Sequence, residues 1–325
     1  MAVALIGPTA SGKSAIAWRV ARARRGVVEL VSVDSMAVYR GMDIGTAKPS
    51  VDERAEVPYH LVDLVDPDQD YTVTLFQTAA RAALEGITLR GGKALLVGGT
   101  GLYLRAVTDD LSFPGRFPSV AAELAGELDT LGPRGTEARL AGGVAMHARL
   151  TQLDPVAAAR IEPGNERRLV RALEVTLGSG RLFSSFGPGL EQYPSSRIHL
   201  MGIHRVPDEL DRRITERFSR LMDFGFLDEV RGLASRPGGL SRTARQALGY
   251  RELLSHVEDG VPIRAAVDEA VRRTRAFAKR QRAWFRRDPR IEWLDPEMDP
   301  VALVAERLDH DSENSDGWNT TGPHR

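Results

Sequence analysis

Over the first hundred residues, short apolar runs alternate with stretches of helical periodicity. Residues 3–6, 27–33, 60–65 and 94–97 have the length and apolar content of buried strands, and residues 15–21 carry the helical spacing that follows the first of them. Such alternation predicts parallel strands joined by crossover helices, an α/β sheet covered on both faces. Residues 198–203 read as a further strand of the same sheet and 291–294 as its last. From 113 to 197 the pattern turns helical, opened by Phe113-Pro114-Gly115 and closed by Phe186-Gly187-Pro188-Gly189. The expected organisation is a core formed by 1–112 and 198–310, an inserted helical subdomain at 113–197, and a disordered polar tail at 311–325. No internal repeat is present.

The turn after the first strand narrows the fold class. Gly7, Pro8, Thr9, Ala10, Ser11, Gly12, Lys13 and Ser14 spell a complete phosphate-binding loop in the strand-loop-helix context that the motif needs. Its glycines let successive amides face a ligand, Lys13 adds a point charge, and the Ser14 hydroxyl suits Mg²⁺ at the positive end of a helix. The core is therefore expected to be a P-loop NTPase-like parallel sheet that holds a polyphosphate. The loop alone does not say whether a phosphoryl group is transferred, as in a kinase, or a diphosphate is released.

Composition sets the remaining bounds. A chain of 325 residues with 42% hydrophobic and 27% charged residues is that of an ordinary globular protein of about two domains. Zero cysteines exclude disulfides, thiolate metal sites and a cysteine nucleophile. No run is long enough for a membrane span and no secretory leader is evident, so a cytoplasmic enzyme is expected. The 44 basic and 44 acidic residues balance overall. Residues 272–290 do not: nine are basic and only Asp288 is acidic, a local field suited to an anionic polymer.

Several positions carry candidate chemistry. Asp34 follows the second strand, where open α/β sheets bind ligands; it would act as a base there, or as a helix cap or Mg²⁺ ligand. Thr100 follows the strand at 94–97, where a phosphoryl-transfer enzyme often has a metal-binding Asp; Gly98, Gly99 and Gly101 allow a ligand to approach, or make a tight turn. Arg167, Arg168 and Arg171 share one helical side, facing nucleic-acid phosphates or paired with Glu166 and Glu174. Arg275, Lys279, Arg282 and Arg286 form one stripe of a later helix and Phe277 and Trp284 another, fit for an RNA backbone with unstacked bases or for a core.

Taken in order, GPTASGKS, DSMAVYRGMDIGTAKP, VGGTGLYLRA, NERRLVRALEV, RFSRLMDFGFLDEV, ALGYRE and KRQRAWFRRDPRI resemble the tRNA dimethylallyltransferase (isopentenyltransferase) family from the N-terminus to about residue 294. The resemblance implies transfer of a dimethylallyl group from dimethylallyl diphosphate to the adenine 3′ of a tRNA anticodon, with Mg²⁺ on Ser14. It implies that Asp34 is the general base, Thr100 orients substrate and Arg217 binds the diphosphate. It also implies tRNA contacts from the anticodon stem-loop to Asp34, Ser35, Met36, Ala37, Thr100, Arg167, Arg168, Arg171, Arg245, Gly249, Tyr250, Arg251, Lys279, Arg280, Gln281, Arg282 and Trp284. A monomer is expected. The chain departs from the family pattern at Ala37, where glutamine is usual, at Ala283 in place of threonine, and at Ala121 where arginine is common. The rival readings are a small-molecule or nucleotide kinase with ATP in the loop, and a non-catalytic RNA-binding ATPase.

Overall fold

A computed structural model describes residues 2–187, 189–295 and 297–310. The tail expected to be disordered lies outside them. The chain divides into two compact units, one formed by 1–110 and 195–325 and the other by 111–194. Both junctions fall earlier in the chain than expected, the first by two residues and the second by three. Just before the first, Asp109 is gripped by Arg105 and Arg290.

The larger unit is built on six strands, β1 (Ala2–Ile6), β2 (Val28–Val33), β3 (Tyr59–His60), β4 (Lys93–Gly98), β5 (Ile198–Gly202) and β6 (Glu292–Trp293). Their order is β3-β2-β4-β1-β5-β6 and every pairing is parallel. Side chains alternate between two cores, as the pleat requires. Ala4, Ile6, Val31, Val33, Leu96 and Leu200 face one. Val3, Leu5, Leu30, Leu95 and Met201 face the other. Because both faces are buried, the strands read as continuous apolar runs rather than as alternating ones.

The second core is closed by α1 (Lys13–Ala23), through Ile16, Ala17 and Val20, together with Val304, Ala305 and Leu308 near the end of the described chain. After β2 come a short helix, α2 (Val51–Glu56), fixed by a Ser50–Glu53 capping box, then α3 (Val73–Leu89) and α4 (Gly101–Thr108). Phe76, Ala80 and Ile87 of α3 and Leu104 of α4 lie in the first core.

The smaller unit holds α5 (Pro118–Asp129), α6 (Glu137–Leu153), α7 (Pro155–Ala158) and α8 (Glu166–Ser179). It has its own core, with Leu124, Leu128, Met146, Leu150, Leu169 and Leu173. Arg139 is buried yet saturated, donating to Leu128 and Gly132 carbonyls and pairing with Asp129 and Glu166. Back in the larger unit follow α9 (Pro207–Asp223), α10 (Phe226–Ala234), α11 (Tyr250–Asp259), α12 (Ile263–Phe285) and α13 (Pro300–His310).

One predicted strand is largely absent. Only Tyr59–His60 pairs with β2, and 61–65 bends away to a single bridge between Tyr39 and Val65. Leu61 and Asp63 take positive φ angles of 64° and 54°, which no strand tolerates. The Asp63 carboxylate is held by Lys48 at 2.6 Å and by Arg54 at 2.5 Å, so charge pairing outweighs the strand propensity of the run.

Lys48, its side chain almost fully buried, also pairs with Asp43 and donates to the Tyr39 carbonyl. From the other side, Glu229 of α10 accepts the amides of Asp43, Ile44 and Gly45 at 2.9, 2.7 and 3.2 Å and the Tyr250 hydroxyl at 2.5 Å. The loop after β2 is therefore clamped at both ends of its Asp-Ile-Gly-Thr-Ala-Lys segment. Removing this acceptor by Glu229→Ala should destabilise the protein by about 2–3 kcal/mol. A urea midpoint equal to that of wild type would show that the clamp carries no such weight.

Candidate active site

The phosphate loop leaves β1 at Gly7 and enters α1 through Gly12, whose φ of 94° requires glycine. Lys13 Nζ donates back to the Pro8 carbonyl at 3.1 Å. Two arginines brace the loop from outside it: Arg213 Nε reaches the Ala10 carbonyl at 2.8 Å and Arg205 Nε the Ser11 carbonyl at 3.2 Å. Motif reading missed both, because nothing local in the sequence marks a cation aimed at a loop almost two hundred positions earlier.

Asp34 begins the turn after β2. Its Oδ1 accepts the Met36 amide at 2.8 Å and the Ala37 amide at 3.4 Å. Oδ1 thus closes a turn and caps no helix, since the next helix begins only at Val51, while Oδ2 has no protein hydrogen bond among the described residues. Thr100, the N-cap of α4, accepts the Ser35 amide on its hydroxyl at 3.4 Å, so the turns after β2 and β4 are stitched together. Arg217 of α9 points its NH1 at the Thr9 hydroxyl, 3.4 Å away.

These groups converge on one cavity of about 720 Å³, lined by Thr9, Lys13, Ser14, Asp34, Ser35, Met36, Ala37, Thr100, Arg217, Phe277, Arg280 and Gln281, among others. A second cavity of about 390 Å³ shares Lys13, Ser14, Ala15, Ala47, Arg217 and Leu221 with the first and adds Arg213, Arg220 and the exposed Phe224. Desolvation pulls Lys13 down from its usual range to about 8, the Arg217 charge lowers it further and Asp34 opposes both. Arg217 is likewise lowered by desolvation, with Asp34 opposing and Arg220 adding to the fall. Two enclosed cations thus share a single carboxylate, a site under-neutralised until an anion arrives.

Residues expected to touch RNA separate into groups. Arg167 and Arg168 are exposed on α8, but Arg171 turns to Glu174 and to the carbonyls of Pro114 and Gly115, bracing the start of the smaller unit. Arg245 pairs with Glu258, and Arg251 is exposed beside Gln246. Lys279 and Arg280 are exposed, Arg282 and Trp284 half-buried.

Three residues of the segments expected to contact RNA are buried. Tyr250 is fully buried, its hydroxyl committed to Glu229, and Gly249 is buried against Phe226 and Phe218. Gln281 is buried as well, and its amide spans two loops: Oε1 accepts the Thr9 amide at 2.8 Å and Nε2 donates to the Gly99 carbonyl at 2.7 Å. Glycine is required at 99, since a Cβ would run into the Gln281 amide. Phe277 and Trp284 are neither core nor free surface; both are half-buried, Phe277 against the cavity and Trp284 against Gly101.

Ser14 is exposed at the head of α1 and offers a hard oxygen ligand to the cavity. Among the described residues, no group of three or more His, Cys, Asp or Glu could hold a metal ion. Such a donor set fits Mg²⁺ bound largely through the oxygens of a phosphorylated ligand, which is how that ion is usually held.

Fold and site together define a phosphate-loop α/β protein in which an anion cradle faces a carboxylate across an open cleft. The sequence profile described as IPP transferase matches residues 37–288. The chain is 45% identical over 313 residues to a tRNA dimethylallyltransferase of Kineococcus radiotolerans, covering 94% of this chain and 95% of the relative. Identity is 42% over 293 residues to that of Streptomyces coelicolor, covering 90% and 89%. Among solved structures, a full-length tRNA isopentenylpyrophosphate transferase from Bacillus halodurans superposes with a TM-score of 0.65 at 33% identity, covering 96% of this chain and 98% of that one. A eukaryotic dimethylallyltransferase acting on tRNA shares the fold, with a TM-score of 0.73 at 23% identity over 96% and 80%. The chain belongs to the IPP transferase family.

The charge state of Lys13 gives a testable consequence. An ammonium titrating at about 8 is present below that pH and lost above it. Affinity for inorganic pyrophosphate should therefore fall by up to about tenfold per pH unit between 8.5 and 10 in calorimetric titrations, after correction for the titration of pyrophosphate itself. Lys13→Arg, permanently charged, should lack this dependence. The same shift makes folding stability rise with pH between about 8 and the ordinary lysine value, since only the unfolded state then holds the proton.

Proposed function

We infer that this chain is a tRNA-modifying prenyltransferase. It transfers a dimethylallyl group from dimethylallyl diphosphate to N6 of the adenosine 3′-adjacent to the anticodon, releasing diphosphate. The observation that carries this reading is the cleft in which Asp34, Thr100 and Arg217 line one cavity with Lys13 and Ser14 of the phosphate loop. The phosphoryl-transfer alternative would use a carboxylate after β4, and Gly99 and Thr100 stand there instead.

In this reaction the adenine amine forms a bond to the allylic carbon as the carbon–oxygen bond to diphosphate breaks, and the electron pair leaves with the diphosphate. Asp34, through the oxygen not engaged by the Met36 and Ala37 amides, takes the amine proton. Thr100 orients the base. Lys13, Arg217 and the loop amides stabilise charge on the leaving group, an effect worth several kcal/mol in a water-poor site. Mg²⁺ on Ser14 would supply further charge neutralisation to the diphosphate oxygens.

Holding a weakly nucleophilic amine against the allylic carbon supplies roughly 7–11 kcal/mol, so positioning outweighs proton transfer, which contributes about 10²–10⁴-fold. Extracting the base from its stack costs a few kcal/mol, offset by electrostatic grip on the anticodon stem-loop. We assign that grip to the exposed Arg167 and Arg168 of the inserted unit and to the basic stripe of α12, in a monomeric cytoplasmic enzyme. Among the described residues no helix is long and apolar enough to cross a membrane.

Asp34→Asn keeps the amide acceptor of the turn and removes the base. Turnover should fall about 10²–10⁴-fold with tRNA affinity nearly unchanged, followed by mass spectrometry of a five-carbon addition to an anticodon-loop adenosine. A near wild-type rate would refute the role of Asp34. Binding of unmodified tRNA should weaken steeply as salt rises from low to moderate concentration, and a flat response would argue against the electrostatic grip.

A further inference from the structure

The helix that carries the basic stripe is also bonded to the catalytic loops. On one side of α12, Arg275, Lys279 and Arg286 are exposed. On the opposite side the buried Gln281 accepts from the Thr9 amide in the phosphate loop and donates to the Gly99 carbonyl beside Thr100. Trp284, one turn further on, packs on Gly101 with no room for a Cβ between them. Both loops that flank the reacting groups are thus tied to one rigid element, 272 and 182 positions away in sequence.

We propose that Gln281 is a positioning residue that couples RNA occupancy of α12 to diphosphate binding by the phosphate loop. The proposal rests on the reading above, in which the stripe binds tRNA and the loop binds diphosphate. Gln281 supplies one acceptor to the loop and one donor to the Thr100 turn from a single planar amide. A shift or stiffening of α12 therefore reaches both loops with its direction preserved. RNA that orders α12 fixes the Thr9 amide and the Gly99 carbonyl together, and the diphosphate then meets a loop whose ordering has already been met. By linkage the diphosphate favours RNA binding by the same factor. The arrangement would stop the enzyme from committing its prenyl donor before the base is in place.

The test uses the full chain, inorganic pyrophosphate with Mg²⁺, and an unmodified anticodon stem-loop RNA, each titrated alone and with the other saturating. For the wild type, pyrophosphate affinity should rise about fivefold or more with RNA bound, and RNA affinity by an equal factor with pyrophosphate bound. Gln281→Met, close in volume but without the amide, should still bind each ligand alone while the factor falls to about one. This loss is not what a merely loosened fold would give, since weakened folding lowers each affinity without abolishing their ratio. Gln281→Glu keeps an acceptor for Thr9 but not the donor for Gly99; it should lose the factor too, and it carries the test if Gln281→Met melts below the assay temperature. A wild-type factor retained in the variant overturns the proposal. Wild-type protein that binds both ligands with no coupling overturns it while leaving the transferase reading intact. Failure of the wild type to bind either ligand overturns both.

Discussion

Three parallel strands end level with one another, and the chemistry of the molecule depends on that register. Ile6 lies beside Gly98, and Gly98 beside Val33, so β1, β2 and β4 release their chains at one height. The next residues are Gly7, Asp34 and Gly99, which start the anion cradle, the carboxylate turn and the Thr100 turn. A shift of one residue in any pairing would reverse the strand's faces as well as displace its turn, and the fit of side chains of different size in the two cores opposes it. The packing that fills the two cores therefore also places the reacting groups within reach of each other.

Around that rim, polar side chains do work that apolar packing cannot. Glu229 and Lys48 clamp the segment following Asp34, Arg205 and Arg213 occupy carbonyls of the phosphate loop, and Gln281 joins the loop to the turn at Gly99. Each is buried or half-buried with its partners satisfied, the condition under which polar groups specify geometry. Lys13 and Arg217, the enclosed cations of the cavity, share Asp34 as their common carboxylate.

What the sequence made legible was contiguous. The loop at 7–14 could be read because its spacing and its strand-helix context lie within about twenty residues, Asp34 because it directly follows an apolar run, and Thr100 because only two glycines separate it from one. The sheet was readable where both faces are buried. The run at 60–65 was misread because its apolar content resembles a strand, while the deciding interaction, Asp63 with Lys48 and Arg54, is invisible to periodicity. Gln281 falls in a segment that the family resemblance matches to tRNA contact, and a motif gives a segment but not the neighbours, Thr9 and Gly99, that wait beside one of its side chains. Tyr250 stands among the tRNA contacts that the resemblance implies, whereas its burial follows from packing against Phe226, twenty-four positions earlier.

The cradle grips oxygens that reactant and by-product have in common. On the proposed chemistry the liberated anion carries more charge than it did as an ester, so Lys13 and Arg217 hold it at least as firmly once the carbon has gone. Each cycle then ends with the escape of a small, multiply charged molecule from the same nest that activated it. A cellular environment that hydrolyses this molecule elsewhere would pull each round of modification forward, by keeping the nest clear.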